Sequence, residues 1–244
     1  MNVEKVNISI IEENEKDILT TTFKSAAGMT PIIGPYLAEL IGILVPNQRI
    51  DRVTTFLKLF YEKFEEQNIE IDILKEKMKD ENFINLFDDI SWQAAKSISN
   101  ERKEYLASIL INGLTDNKID EIQKNIFLNI ISELNDIEIL ILYNHTRTAS
   151  SDKEFRKKNQ EILVQPIATL GSSQEDKNKS ILFDTYKEKL VRLNLLKRKF
   201  KKLKRDELPE FDEKTGTIKT NGFEITAIGR LFLKYIGLLK NDDY

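Results

Sequence analysis

Apolar positions along the first two thirds of the chain recur at the three-and-four spacing of amphipathic helices. In "DRVTTFLKLFYEKFEEQ" the residues Val53, Phe56, Leu57, Phe60 and Phe64 share one face. "ENFINLFDDISWQAAKSI" sets Phe83, Leu86, Phe87, Ile90 and Ala94 on a second stripe. "ERKEYLASILINGL" offers Leu106, Ile109 and Leu110, with Gly113 as a predicted helix stop. "IDEIQKNIFLNIISEL" carries Ile119, Ile122, Ile126, Phe127, Ile130, Ile131 and Leu134; Asn135 and Asp136 then break the run and can cap "IEILILYNH". Several such stripes on short links bury themselves against one another, so a helical bundle is expected.

The pattern changes after His145. "TRTASSDKEFRKKNQ" is polar and aperiodic and reads as a loop or linker. "SILFDTYKEKLVRLNLL" returns to helical spacing, with Leu182, Tyr186, Leu190 and Leu193 in register. Strands are predicted around Lys199–Leu203 and through Ile218, Phe223 and Ile225. Gly216 and the Asn221–Gly222 pair both offer a reversal between them. A last helix follows, with Ile228, Leu231, Phe232, Tyr235, Ile236 and Leu239 on one face and Thr226 as N-cap. Helix, strand, long turn, strand, helix is the order of a winged-helix unit. The chain is therefore expected to be mainly α, with a helical bundle over 1–115 and a winged-helix-like domain with a small β-hairpin over 116–244.

The least polar stretch, "GMTPIIGPYLAELIGILVP" from Gly28 to Pro46, breaks this regularity. Pro31 and Pro35 remove amide donors, and Gly28, Gly34 and Gly42 lower helix propensity. Glu39 would cost about 2.5–3.5 kcal/mol at a bilayer centre. These features predict a turn over "MTPIIGP" and a short helix over "YLAELIGILV", with Pro35 at its first position. Buried in a soluble core, this hairpin supplies Ile32, Ile33, Leu37, Leu40, Ile41 and Leu44. Released from that core, the same residues form a candidate membrane-active or partner-binding hairpin.

Composition narrows the chemistry. The 244 residues are 41% hydrophobic and 32% charged, with nine glycines and five prolines, as in a helix-rich soluble protein. There is no cysteine, which excludes disulfides, thiol catalysis and cysteine-ligated zinc, and the one histidine, His145, cannot build a histidine cage. The acidic N-terminal residues do not read as a secretory signal, so a cytoplasmic location is expected, with membrane association on activation if the hairpin opens. No phosphate-binding loop, dinucleotide fingerprint or nucleophile elbow is present. No cofactor, metal site, catalytic group or small-molecule substrate is suggested. His145, at a predicted helix end, is better placed to meet the last carbonyls than to move protons.

Charge is unevenly divided. The net charge of −3 splits into 16 basic against 25 acidic residues up to Ser150, and 21 against 15 thereafter. The basic excess concentrates in "KRKFKKLKR": Lys197, Arg198, Lys199, Lys201, Lys202, Lys204 and Arg205. These seven are candidates for binding nucleic acid or an anionic membrane surface. A solvated hairpin edge that resists sheet pairing is the alternative for the same residues. On the preceding helix, Asp184 and Glu188 lie beside Lys187 and Lys189, a mixture ill suited to a phosphate-lined groove.

Taken together, Pro46, Arg49 and Arg52, then Glu101, Glu104, Ala107 and Leu110, then Ile225, Thr226, Gly229, Arg230 and Phe232 resemble the abortive-infection alpha family of bacterial proteins, associated with resistance to phage. The resemblance carries no catalytic residue onto this chain. It implies a non-enzymatic defence or stress-response protein acting through protein contacts, with a protein partner or a homo-oligomer, and through membrane perturbation by the apolar hairpin. A winged-helix DNA-binding regulator using 197–205 is the alternative.

Overall fold

The computed structural model describes residues 29, 31–36, 47–115, 121–166, 169, 171–212 and 216–240. The chain divides into two units, with the boundary between Ser132 and Glu133. The expected division was at 115/116.

In the first unit, α1 (Asn47–Glu66), α3 (Glu81–Lys96) and α4 (Asn100–Thr115) pack on one another, and α2 (Ile71–Lys77) lies against α4. The stripes read from the sequence form this core: Val53, Phe56, Leu57, Phe60 and Phe64 of α1 and Phe83, Leu86, Phe87, Ile90 and Ala94 of α3 are all buried. Each large side chain so buried contributes about 1.5–3 kcal/mol. Helix α4 is buried continuously from Tyr105 to Ile111, as a central helix covered on several sides must be. Asn68, at φ 51°, turns the chain out of α1, with Ile69 N–H donating to Phe64 O at 3.2 Å. Helix α2, which the sequence reading did not include, buries only Leu74 along its seven residues. Helix α5 (Glu121–Glu133) buries Phe127, Leu128, Ile130 and Ile131 and leaves Ile126 exposed, off the predicted stripe.

Two expectations in this unit are corrected. Gly113 does not stop α4, which continues to Thr115; a β-carbon there would meet Leu86 Cδ2 at 2.8 Å, so the glycine serves close helix packing. Residues 31–36 are helical, where a turn was expected. Pro31 opens that helical segment, and the Ile32 and Ile33 N–H groups donate to Met29 O at 2.9 and 3.0 Å. Gly34 and Pro35 lie inside this segment, so Pro35 is not at a first helical position as expected, and its missing N–H forfeits the bond to Pro31 O that the i→i−4 pattern would make.

The second unit begins at the end of α5. Helix α6 (Asp136–Asn144) is opened by a reciprocal cap: Asn135 Oδ1 accepts from Glu138 N–H and Glu138 Oε2 from Asn135 N–H, both at 2.8 Å. The segment expected as a loop contains three short helices, α7 (Arg147–Ser151), α8 (Lys153–Lys158) and α9 (Gln160–Leu163). Local caps explain what the missing periodicity concealed. Thr146 Oγ1 accepts from Ala149 N–H at 3.2 Å and Asp152 Oδ1 from Phe155 N–H at 2.9 Å. The Phe155 ring then meets Tyr143 edge-on with centroids 4.9 Å apart.

Helix α10 (Gln174–Arg192) is longer than predicted, starts from a Ser173 cap, and buries Phe183 and Leu190. Leu182, expected on the buried face, is exposed. Asn194, at φ 56°, closes the helix, with Leu195 N–H donating to Leu190 O at 2.9 Å. Strand β1 (Leu196–Phe200) pairs antiparallel with β2 (Thr220–Ile225), Leu196 opposite Ile225 and Lys199 opposite Gly222, with a register shift at Lys199/Phe200. Residues 201–203, expected within the first strand, lie beyond it. The reversal uses the Gly216 signal: Asp212 N–H donates to Thr217 O and Gly216 N–H to Asp212 O, both at 2.8 Å, and Phe211 bridges Ile218. Helix α11 (Ala227–Tyr235) follows, capped as expected by Thr226, whose Oγ1 accepts from Gly229 N–H at 2.9 Å. The chain is thus mainly helical with a small antiparallel hairpin near its C-terminus.

Candidate binding surface

The basic run straddles the end of β1. Pairing with β2 fixes Lys197, Arg198 and Lys199, and residues 201–204, without regular structure, lead into a turn at Arg205–Asp206. All seven cations are exposed. Three of them are tied to acids. Lys197 Nζ lies 3.6 Å from Glu224 on β2, Arg198 is bonded to Glu188 of α10, and Lys201 to Glu207. Glu207 Oε2 also accepts the Lys204 N–H at 3.1 Å. The Lys201 hydrogen bond and that backbone donor lower the Glu207 pKa, and the same hydrogen bond raises that of Lys201. Among the described residues, Lys199, Lys202, Lys204 and Arg205 make no side-chain ion pair.

The run does not stand alone. Phe200 and Leu203 between its cations are exposed, as are Leu208, Phe211 and Ile218 on the chain that returns. That return is acidic at Asp206, Glu207 and Glu210, and Glu210 reaches Lys219 at 3.3 Å. The charge run points only to the basic half; this second half was not expected. Its signal is the string "DELPEF", placed directly after "KRKFKKLKR".

On the side facing α10, the hairpin encloses a cleft of about 930 Å³, lined among others by Asp184, Lys187, Glu188, Arg198 and Phe223. Its cations are already engaged. Lys187 Nζ donates to Gln165 Oε1 at 2.8 Å and stands 4.6 and 5.3 Å from the ring centroids of Phe183 and Phe223. Gln165 Nε2 donates in turn to Asp184 Oδ1 at 3.2 Å. Burial lowers the Lys187 pKa, and Asp184 opposes that shift. These contacts brace α10 against the sheet, and an anionic ligand would have to displace them. His145 is the C-cap residue of α6, as its position suggested; its pKa is lowered first by burial and then by the nearby Lys187 charge.

Of the apolar hairpin, Ile33 is fully buried and Ile32 partly so, while Leu37, Leu40, Ile41 and Leu44 lie outside the described residues. Among the described residues no helix is long and apolar enough to cross a membrane, and no cluster of His, Asp and Glu could hold a metal ion.

Several residues that carry the family resemblance have local structural roles. Arg52 Nη1 donates to Ala95 O at 3.3 Å, Ala107 and Leu110 are in the core, Thr226 caps α11, and Phe232 is fully buried. Comparison with family models, with curated proteins and with solved structures returns no match.

Proposed function

We propose that this protein is a non-enzymatic bacterial phage-defence or stress-response protein of the abortive-infection type, and that it acts through contacts made by the exposed hairpin of its second unit. The observation that carries the contact surface is the composition of residues 199–212: unpaired cations, acids and four exposed large apolar side chains on one exposed segment. A polyanion is attracted by the first of these and repelled by the second. A protein surface can complement all three. Membrane perturbation by the apolar hairpin belongs to the same proposal. The burial of Ile33 means that this residue would have to leave its packed surroundings before it met lipid.

The test is expression with and without phage, scoring cell survival and membrane integrity together. Protection by the wild type, lost when Lys199, Lys202, Lys204 and Arg205 are replaced by Glu, supports the reading. A wild type that gives no protection overturns it.

The order of α10, β1, β2 and α11, with four unpaired cations on the wing, favours duplex DNA as a second reading. Arg198 and Glu188 tied together at the end of α10 oppose base reading by that helix. Duplex affinity that falls steeply with salt and disappears on the same fourfold replacement is the expected signature; salt-independent or absent binding rejects it.

A further inference from the structure

The exposed segment 199–212 has a symmetry of charge and polarity centred on its Arg205–Asp206 turn, and a single copy uses little of it. Counted outward from the Arg205–Asp206 step, Arg205 matches Asp206, Lys204 matches Glu207, and Lys201 matches Glu210. In the same count Leu203 matches Leu208 and Phe200 matches Phe211. Every base meets an acid and every apolar residue an apolar one; the exception in this span is Lys202 with Pro209.

Within one copy Lys204 and Glu207 meet across the central turn through backbone N–H groups, Glu207 N–H donating to Lys204 O and Lys204 N–H to Glu207 Oε2, both at 3.1 Å, but the side-chain pairs formed are not the mirror ones. Lys201 takes Glu207, Glu210 takes Lys219, and Phe211 bridges Ile218. The four apolar members stay open, Phe200 at 53%, Leu203 at 44%, Leu208 at 85% and Phe211 at 65% exposure. Side chains of this size in solvent, interleaved with unpaired Lys204 and Arg205, mark a surface that is incomplete alone.

We infer that residues 199–212 form a self-recognition surface on which two copies meet about a two-fold axis, the basic half of each against the acidic half of the other. A two-fold interface requires a patch complementary to itself, so that if residue i meets residue j, then j meets i. A segment with a basic half and an acidic half on either side of a turn meets that condition when the basic half of each copy faces the acidic half of the other. The basic run by itself would repel its own copy, which is how lysines protect a sheet edge; the acidic continuation reverses that effect. Nucleic acid or an anionic bilayer would be drawn to one half and repelled by the other. This inference rests on the reading of the hairpin as a protein-contact surface and names the partner as a second copy of the chain.

The experiment is sedimentation of the full chain over a range of concentrations and salt. The wild type is expected to dimerise reversibly, and less tightly as salt screens the exposed charges beyond about 8–10 Å. Lys201→Glu with Lys204→Glu and Arg205→Glu makes both halves acidic. Asp206→Lys with Glu207→Lys and Glu210→Lys makes both basic. Each triple variant alone is expected to dimerise at least about tenfold more weakly than wild type, because like charges then oppose. An equimolar mixture of the two is expected to form a heterodimer. Leu208→Ser with Phe211→Ser leaves every charge in place, is also expected to weaken the dimer, and carries the test should a triple variant not fold.

A wild type that stays monomeric, variants that dimerise as well as it does, or a mixture without heterodimer overturns the inference. If the wild type is monomeric and the triple variants still lose phage protection, the second copy is excluded and the contact reading stands. If protection is also unchanged, both fail.

Discussion

The α-carbon of Gly229 sits so close to Leu195 that a β-carbon added to it would stand 2.3 Å from the Leu195 carbonyl oxygen and 2.9 Å from Ile225 Cγ1. The neighbouring bonds explain the approach. Thr226 N–H donates to Leu195 O at 3.0 Å, and Thr226 Oγ1 donates to Asn194 O at 2.7 Å while accepting from Gly229 N–H. One residue thus caps α11 and ties it to the turn that leaves α10. Gly229→Ala has backbone, not a flexible side chain, in its way. It should destabilise the second unit by about 1–3 kcal/mol, as overpacking in a tight site does. Thr226→Ala should cost about 1 kcal/mol or somewhat more through the lost cap. Chemical denaturation of both variants checks this, and an unchanged midpoint for Gly229→Ala would contradict the close approach.

How much of this was legible in the sequence follows from what each element depends on. The stripes of α1 and α3 were readable because burial on one side leaves a periodic trace, and their apolar residues are the buried ones. The Thr226 cap was readable because capping is local. Gly113 was misread because a glycine near a helix end suits a stop and a close contact equally, and only the position of Leu86 separates them. The short helices α7 and α8 depend on single caps, α9 has no side-chain cap, and all three bury little, so no stripe betrays them. The basic half of the binding surface was conspicuous as a charge run. Its acidic and apolar half was not, because its meaning comes from pairing across a turn.

Glu138 is a buried carboxylate, with 3% of its side chain exposed, and it is held from two sides. It accepts the Asn135 N–H, and Lys189 Nζ of α10 lies 2.9 Å from its Oε2. Lys189→Met should strand that charge and cost about 2 kcal/mol. This is less than the loss for a wholly buried pair, because the Lys189 side chain keeps 27% exposure. Adding Glu138→Gln to Lys189→Met should recover part of the loss, since the amide still caps α6 without a charge to leave unpaired. A double-mutant cycle measures this coupling. Simple additivity of the two changes would show that the pair contributes nothing.

His145 gives the second unit a defined response to acid. Burial, and then the Lys187 charge, lower its pKa in the folded protein below the ordinary 6.5. Between the folded and unfolded values the unfolded chain binds more protons, so stability rises with pH through that window. The contribution is complete above pH about 6.5 and is lost as pH falls toward the folded value, with a slope of at most about 1.4 kcal/mol per pH unit for one proton. His145→Gln should therefore flatten the fall of the denaturation midpoint as pH drops below about 6.5, relative to wild type. An identical pH profile for the two proteins would remove His145 from the account.

Ile33 bears on whether the apolar hairpin is sheltered. Its side chain is fully buried in the first unit, on a helical segment that begins at Pro31 beside the equally buried Met29. A residue inside a packed core leaves a cavity when truncated, whereas one on a lipid-facing surface does not. Ile33→Ala should therefore lower the stability of the detergent-free protein by about 2–4 kcal/mol, the usual range for removing that much buried side chain. The partly exposed Ile32, truncated in the same way, should cost less. Denaturation in water, without lipid, compares the two directly. Equal and negligible losses would mean that this face is not packed against the first unit. A large loss confined to Ile33 would mean that contact with lipid must first break the core.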